Sequence, residues 1–356
     1  MSSSSSHQTH PRRSPLESLR KFSLVVFVIQ LLKGRKSTSN EKVHTVEEID
    51  NVVPPILQTQ KKEAYLKYYN DFWKEPGVKT ELEAYARADV DFEYKILKGF
   101  VPKQLVGKVT TGKGPPWKGS DTFFTDFEAH YPSERILHAT DKSLIICNHA
   151  CHDVRLYKED VDPTGTDKSL AAGMSYMHLL VIPVARVYNA VALEDDVCIE
   201  EMIAHFKTFW RLPDSKETII NAINGTMVRR YDEIVTAYKK PQANADPSNT
   251  KEAQSAPLEQ RIKQLDDVMS KCRQYASECA DRLRKMDGEF NGYMGFHPHP
   301  TTSVGHLHMH VLMKNKKFLT HSTRVHDHKN APASVVLDVI NEKNTSDKNP
   351  DTQSSD

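Results

Sequence analysis

Apolar and polar positions alternate most strictly in an eight-residue segment, residues 306–313. His306, His308 and His310 occupy every second position there. Because successive side chains of a β-strand point to opposite faces, a strand here places the three imidazoles on one face. The other face carries the apolar residues Leu307, Met309 and Val311. The pattern therefore predicts a strand with a histidine face and a core face.

Longer periodicities predict the remaining elements. Apolar residues at steps of three and four predict helices over 61–73, 81–88, 197–210, 216–238 and 258–286. The apolar stripe of the last helix favours packing on a sheet over a stand-alone coiled coil. Short apolar runs predict strands over 135–138, 143–147 and 177–183, and a hairpin formed by 290–297 and 305–313.

Composition divides the chain into four parts. Residues 1–55 are read as a disordered or targeting tail, and residues 56–116 as a helical extension. The main domain is expected over 117–330, with 239–257 as an inserted polar linker, and the polar residues 331–356 as a disordered tail. The apolar run 22–32 is too short for a stable membrane span, which needs ~20 residues.

Charge and cysteine content set loose limits on partners and location. The 356 residues include 48 Lys and Arg against 47 Asp and Glu, a net charge of +1. This balance neither demands nor excludes a nucleic-acid partner, because a local basic patch would suffice. The five cysteines form no C-x-x-C pair, so a reducing compartment is favoured. We expect a cytoplasmic protein, and nuclear or mitochondrial targeting by the N-terminal tail stays open.

The alternating histidines allow three interpretations. They can be a solvated strand face, although strict alternation over three residues argues against this. A His-x-His pair can supply two zinc ligands, but alternate strand residues step by ~6.6–6.8 Å, too far for three ligands on one tetrahedral ion. Finally, a neutral imidazole can attack phosphorus and form a covalent intermediate while neighbouring donors stabilise the phosphate oxygens. The metal and catalytic interpretations both stay open on residues alone.

The segment His306-Leu-His-Met-His-Val-Leu312 resembles the His-φ-His-φ-His-φ-φ pattern of the histidine triad (HIT) superfamily. Residues 178–183 are similar to the strand ending in Val-Ile-Pro that precedes the first long helix of these proteins. The resemblance covers roughly residues 117–324. It implies an α+β, HIT-like fold in which helices pack on an antiparallel sheet. Residues 295–300 and 314–317 look like the aprataxin branch, although its zinc-finger signature is missing, and the cap-scavenger branch is also similar.

Site residues follow from the resemblance, position by position. It implies that His308 is the nucleophile on an α-phosphate, that His310 contacts the phosphate and assists the leaving group, and that His306 holds the hydrogen-bond arrangement. Ser303 falls where family members often carry a phosphate-contacting serine. Asn148 stands near the position of an acidic residue that usually binds the ribose.

Basic residues follow the triad directly. Lys314 and Lys316, with the neighbouring Lys317, suit a polyanionic substrate. The resemblance therefore implies a nucleotide hydrolase or nucleotidyl transferase that needs no cofactor. Its substrate would be a nucleotide or a nucleotide-capped molecule, with a nucleic-acid 5′ end and a homodimer left open. The alternatives are a non-catalytic nucleotide-binding protein and a His-ligated metallohydrolase.

Overall fold

The computed structural model describes residues 55–109, 114–149, 151–152, 176–239, 257–313 and 329–348. Within them the chain is α+β, as predicted, with a six-stranded antiparallel sheet and seven α-helices. The helices are α1 (Pro55–Lys74), α2 (Val78–Ala86), α3 (Phe127–His130), α4 (Val197–Arg211), α5 (Ser215–Lys239), α6 (Leu258–Arg284) and α7 (Ala333–Lys348). The strands are β1 (Ile136–Ala139), β2 (Ser143–Cys147), β3 (His178–Pro183), β4 (Gly292–Phe296), β5 (Met309–Met313) and β6 (Ala331–Pro332).

The sheet has the strand order β1-β2-β3-β5-β4-β6. β4 and β5 form the predicted hairpin, and β3 lies directly on the other side of β5. Residues opposite one another form a continuous row across four strands, from Ile136 through Ile146 and Leu180 to His310. Since opposed residues share a face, His310 lies on the face that carries Leu180.

The two faces of the sheet are covered differently. One face belongs to the main hydrophobic core, which includes Val181, Met309 and Val311 together with buried residues of α4, α5 and α6. The other face carries a smaller apolar cluster, in which Leu180 and Ile182 pack with Phe127. Met309 and Val311 therefore lie on a core face opposite the histidine face, as the alternation predicts.

The histidine strand is shorter than the predicted span 305–313, since β5 begins at Met309. His306 and His308 precede the strand. The backbone ahead of β5 bonds outside the sheet: the amide of Gly305 donates to the carbonyl of Gly99 (3.1 Å) and the amide of Leu307 to that of Val187 (2.7 Å). These bonds take the place of a sheet ladder over this segment.

The predicted disorder of residues 331–356 is wrong for 331–348, which form β6 and α7. The helix buries one apolar edge in the main core, consisting of Val335, Val336, Val339 and Ile340. Its exposed side meets α1 through an ion pair between Lys62 and Glu342 at 2.5 Å. The polar composition of the segment concealed this narrow apolar edge.

The N-terminal helices belong to the same core as the sheet. Tyr65 and Phe72 of α1 and Tyr85 of α2 are almost fully buried in it. Residues 1–54 and most of the predicted linker, 240–256, lie outside the described residues. No helix among those described is long and apolar enough to cross a membrane. All five cysteines are free thiols.

Candidate active site

The three triad histidines lie together at the start of β5 and are buried. The exposed fractions are 1 % for His306, 7 % for His308 and 5 % for His310. The ring centroids of His308 and His310 are 4.8 Å apart. His310 also meets His178, whose Nε2 lies 2.8 Å from Nδ1 of His310. The ring centroid of His297 lies 4.1 Å from that of His310. Five histidines therefore lie close together here: His178, His297, His306, His308 and His310.

His306 is held in one tautomer by two partners. Its Nε2 lies 3.0 Å from the carbonyl oxygen of Pro183, which can only accept, so Nε2 carries the proton and donates. Its Nδ1 therefore accepts from the hydroxyl of Tyr85 at 3.0 Å. Burial lowers the pKa of His306 to about 4, and the positive charge of Arg186 acts in the same direction. This imidazole is neutral at neutral pH.

His308 is held in the opposite tautomer. Its Nδ1 lies 2.7 Å from the backbone carbonyl oxygen of His306, and so Nδ1 carries the proton. Burial lowers the pKa of His308 to about 4. Nε2 is then an unprotonated nitrogen with a lone pair. The ring of the partly buried Phe124 lies 4.9 Å from the ring of His308.

Arg186 fixes the support behind His306. Its guanidinium donates to the carbonyl of Tyr85 (3.0 Å), to the carboxylate of Asp121 (2.9 Å) and to the carbonyl of Ser120 (2.6 Å). The same group lies 4.9 Å from the centre of the Tyr85 ring. The ion pair ties Arg186, which follows β3, to the buried Asp121, and the bond to the carbonyl of Tyr85 ties it to α2. Tyr85 is thereby aimed at His306.

Two glycines join the triad segment to the N-terminal part of the chain. Gly99 has φ +88°, and a Cβ on it would lie 2.5 Å from the amide nitrogen of Gly305. A Cβ on Gly305 would in turn collide with the carbonyl oxygen of Lys98. Ahead of this crossing, the buried carboxylate of Glu81 accepts from the amides of residues 95–97 at 2.8–3.1 Å. The backbone before His306 is therefore anchored.

The remaining predicted site residues lie at different places. Asn148 directly follows β2, and its backbone N–H donates to the backbone carbonyl of His178 at 3.0 Å, next to the histidine group. Ser303 is exposed in the loop before the triad, and among the described residues no hydrogen bond joins it to a histidine. Lys314 and Lys316 lie outside the described residues.

Sequence reasoning missed several contributors to this site. Tyr85, Phe124 and Arg186 are distant in sequence from the triad, and only folding brings them to it. His297 falls at the end of the predicted strand 290–297, and nothing in that pattern assigns it to the site. It follows β4 directly and donates through Nε2 to Oδ1 of Asn330 (2.8 Å). His178 could have been found from the sequence, because it lies in the predicted strand 177–183 and is the first residue of β3.

The arrangement places the unprotonated Nε2 of the buried His308 next to further imidazoles. Both ring nitrogens of His306 and Nδ1 of His308 already bind protein groups. In the part of the chain that the structure describes, no group of three or more His, Cys, Asp or Glu side chains is placed to hold a metal ion. Nε2 of His308 has a free lone pair in this arrangement, which is the feature that nucleophilic attack requires.

A scan against protein-family models, a search of curated proteins and a search of solved structures each gave no match to this chain.

Proposed function

We propose that this chain is a HIT-type nucleotide hydrolase or nucleotidyl transferase that acts at an α-phosphate through a nucleotidyl intermediate on His308. The observation that carries the proposal is the hydrogen bond from Nδ1 of His308 to the carbonyl of His306 at 2.7 Å. It leaves Nε2 unprotonated in a buried site, and an unprotonated nitrogen is what nucleophilic attack on phosphorus requires.

The first step forms one bond and breaks one. The lone pair of Nε2 forms a bond to phosphorus, and the bond from phosphorus to the leaving group breaks with its electron pair. Positive charge then develops on the His308 ring, and the carbonyl of His306 stabilises it through the existing Nδ1–H bond. Pro183 and Tyr85 hold the His306 residue in place for this role.

The second step restores the histidine. Water, or another acceptor, attacks the phosphorus and displaces Nε2 of His308. His310 lies beside this ring, at 4.8 Å between centroids, and contacts the phosphate or the leaving group. His178, at 2.8 Å from Nδ1 of His310, orients that ring. Asn148 and Ser303 are proposed to bind the ribose and a phosphate oxygen.

Two further features support the proposed class. The histidine segment runs into a central strand of an antiparallel sheet, beside the strand that ends in Val-Ile-Pro, which suits a HIT-like fold. The aromatic ring of Phe124 next to His308 offers an apolar wall for a nucleoside. Lys314 and Lys316 would extend the site toward a nucleic-acid 5′ end.

The test is the variant His308→Ala on a panel of adenylated amine, dinucleoside polyphosphate, cap analogue and adenylated DNA. We expect a loss of several orders of magnitude in rate, because a covalent nucleophile is removed. Wild type mixed with its best substrate should give a nucleotidyl adduct on the peptide that contains His308. Retention of a tenth of the wild-type rate would refute the assignment.

A matched control is His138→Ala. His138 lies on β1 opposite Ile145, and Ile145 belongs to the main core on the other face of the sheet. Its removal takes an imidazole from the same sheet and leaves the triad intact. Activity per folded molecule should then stay near that of wild type, and circular dichroism reports the folded fraction of both variants.

Two rival functions give different outcomes in the same assays. A metallohydrolase would lose activity on dialysis against a strong chelator and regain it with zinc, whereas His308 chemistry persists. A non-catalytic nucleotide-binding protein would bind members of the panel without turnover by wild type. Either outcome would replace the proposed reaction.

A further inference from the structure

A cavity lies on the sheet away from the histidines. It has a volume of about 440 Å³, opens to solvent and is lined by residues around the start of β1, the end of β2 and one face of α5. The polar residues on its wall are Arg135, Thr218, Asn221, Thr226 and Arg229. The volume falls within the ~300–1,000 Å³ typical of small-molecule sites.

Two arginines face this cavity without a full set of partners. Nε of Arg135 and Nε of Arg229 are both buried and make no hydrogen bond to any residue that the structure describes. Arg229 donates through Nη2 to the hydroxyl of Thr226 at 2.9 Å. The guanidinium of Arg135 stacks over the ring of Tyr131 at 4.5 Å. Among the described residues, neither arginine forms a salt bridge with a carboxylate.

The acidic groups nearby do not neutralise the pair. Glu134 lines the cavity but is exposed at its rim. Glu233 is engaged by Arg230 at 2.5 Å and lies 3.5 Å from His149. Burial and then the charge of Arg229 lower the pKa of Arg135, so the two cations disfavour each other. Two like charges that are partly buried side by side are costly unless an anion is bound between them.

A glycine keeps the cavity open. Gly225 lies within α5 on the wall of the cavity, and a Cβ at this position would meet nothing within 4 Å. Glycine is a poor residue for the middle of a helix. Gly225 therefore lowers the stability of α5 locally, at a position where a larger side chain would project into the cavity.

We propose that this cavity binds a phosphate dianion, either free phosphate or the phosphate of a monoester, between Arg135 and Arg229. The planar guanidinium matches two phosphate oxygens at once. A phosphate group carries a charge of about −1.5 to −2 near pH 7, which balances two guanidinium groups, whereas a carboxylate balances one. The hydroxyl of Thr218 and the amide of Asn221 add donors for the remaining oxygens.

This phosphate site is separate from the histidines. The row from Ile136 to His310 crosses three strand spacings of ~4.8 Å, so Arg135, next to Ile136, lies on the order of 14 Å from His310. One phosphate cannot reach both places. Binding at the arginines and chemistry at His308 can therefore be tested independently.

The experiment is calorimetric titration of the full chain with inorganic phosphate, repeated with AMP as a monoester and with acetate as a carboxylate control. Arg135→Gln and Arg229→Gln should each weaken phosphate binding at least about tenfold. Gly225→Leu should abolish it by filling the cavity. The control Arg211→Gln removes an exposed arginine that pairs with Glu289 and should change nothing.

Further arms identify the anion and the place where it binds. His308→Ala should retain the phosphate binding that the arginine variants lose. AMP that binds with the same dependence on both arginines indicates a monoester ligand, and AMP that fails to bind indicates free phosphate; both agree with the proposal. Equal binding of acetate, unchanged phosphate affinity in all three cavity variants, or loss only in His308→Ala would overturn it.

Discussion

At the level of single residues, each of two buried histidines has a neighbour that decides which ring nitrogen carries the proton. The carbonyl of Pro183 places the proton of His306 on Nε2, and the carbonyl of His306 places that of His308 on Nδ1. Tyr85 completes the chain by donating to Nδ1 of His306. A hydroxyl in α2 thus positions the backbone group that orients the proposed nucleophile.

Removing that hydroxyl tests the chain of contacts. Tyr85→Phe leaves a buried nitrogen of His306 without its donor, a loss worth roughly 1–1.5 kcal/mol. If this cost appears in the transition state, kcat falls about tenfold with little change in KM. The acidic limb of the kcat profile should also move, because the tautomer of His306 is less firmly held. Steady-state kinetics between pH 5 and 9 measure both effects.

The matched control is Tyr188→Phe. Tyr188 is equally buried, but its hydroxyl accepts from the amide of Lys98 and faces Nδ1 of His299 rather than a triad histidine. It should affect stability without shifting the pH profile. Identical profiles for Tyr85→Phe and wild type would show that Tyr85 has only a structural role.

At the level of elements, the short strand β5 and the helix α7 depend on contacts that the local sequence does not specify. β5 begins only at Met309 because the preceding backbone bonds to Gly99 and Val187. α7 is stabilised because its apolar edge packs into the main core beside α1 and β6. Both elements are set by partners far away in the chain.

The contribution of α7 to stability can be measured by one truncation. Ile340→Ala removes a side chain that is 1 % exposed within the main core. Large-to-small changes of this kind cost roughly 2–5 kcal/mol, through lost transfer free energy and the cavity left behind. Ser334→Ala, at an exposed position of the same helix, should cost within about 0.5 kcal/mol. Urea unfolding of both variants provides the comparison. Equal stability would mean that α7 does not belong to the cooperative core.

At the level of the whole molecule, the buried neutral histidines link stability to pH. Burial holds the pKa of His306 and of His308 at about 4, compared with ~6.5 in an unfolded chain. Between pH 6.5 and 4 the unfolded chain therefore binds protons that the folded chain does not. Stability is fully present above pH 6.5 and falls as the pH drops toward 4.

The expected loss is on the order of 2 kcal/mol per histidine at pH 5. Urea unfolding at pH 7.5, 6 and 5 measures it. Replacing His308 with Gln should reduce the slope of unfolding free energy against pH by up to about 1.4 kcal/mol per pH unit. A slope that stays unchanged in this variant would show that His308 is protonated equally in both states.

The N-terminal helices α1 and α2 form one structural unit with the histidine site. Glu81 and Tyr85 of α2, together with Gly99, hold the backbone and ring of His306. The division at residue 117 that composition suggests therefore runs through one physical unit. Side chains from both parts fill the same core.

The sequence alone determined the elements whose signal is local. Alternation predicted that Leu307, Met309 and Val311 enter the core, and helical spacing predicted α4, α5 and α6 within a few residues. These patterns can be recognised in the sequence because the period of a strand or a helix relates residues that are only two to four positions apart. The hairpin of β4 and β5 follows from the same local signals.

Only the tertiary structure decided how the site is built. The tautomers of His306 and His308 depend on Pro183, Tyr85 and the backbone before β5. The two arginines on the cavity wall come from the residue before β1 and from α5, about 90 residues apart in sequence, and form no salt bridge within the described part of the chain. Hydrogen bonds, burial and charge repulsion act between neighbours in space. No periodicity along the chain records which distant residues those neighbours are.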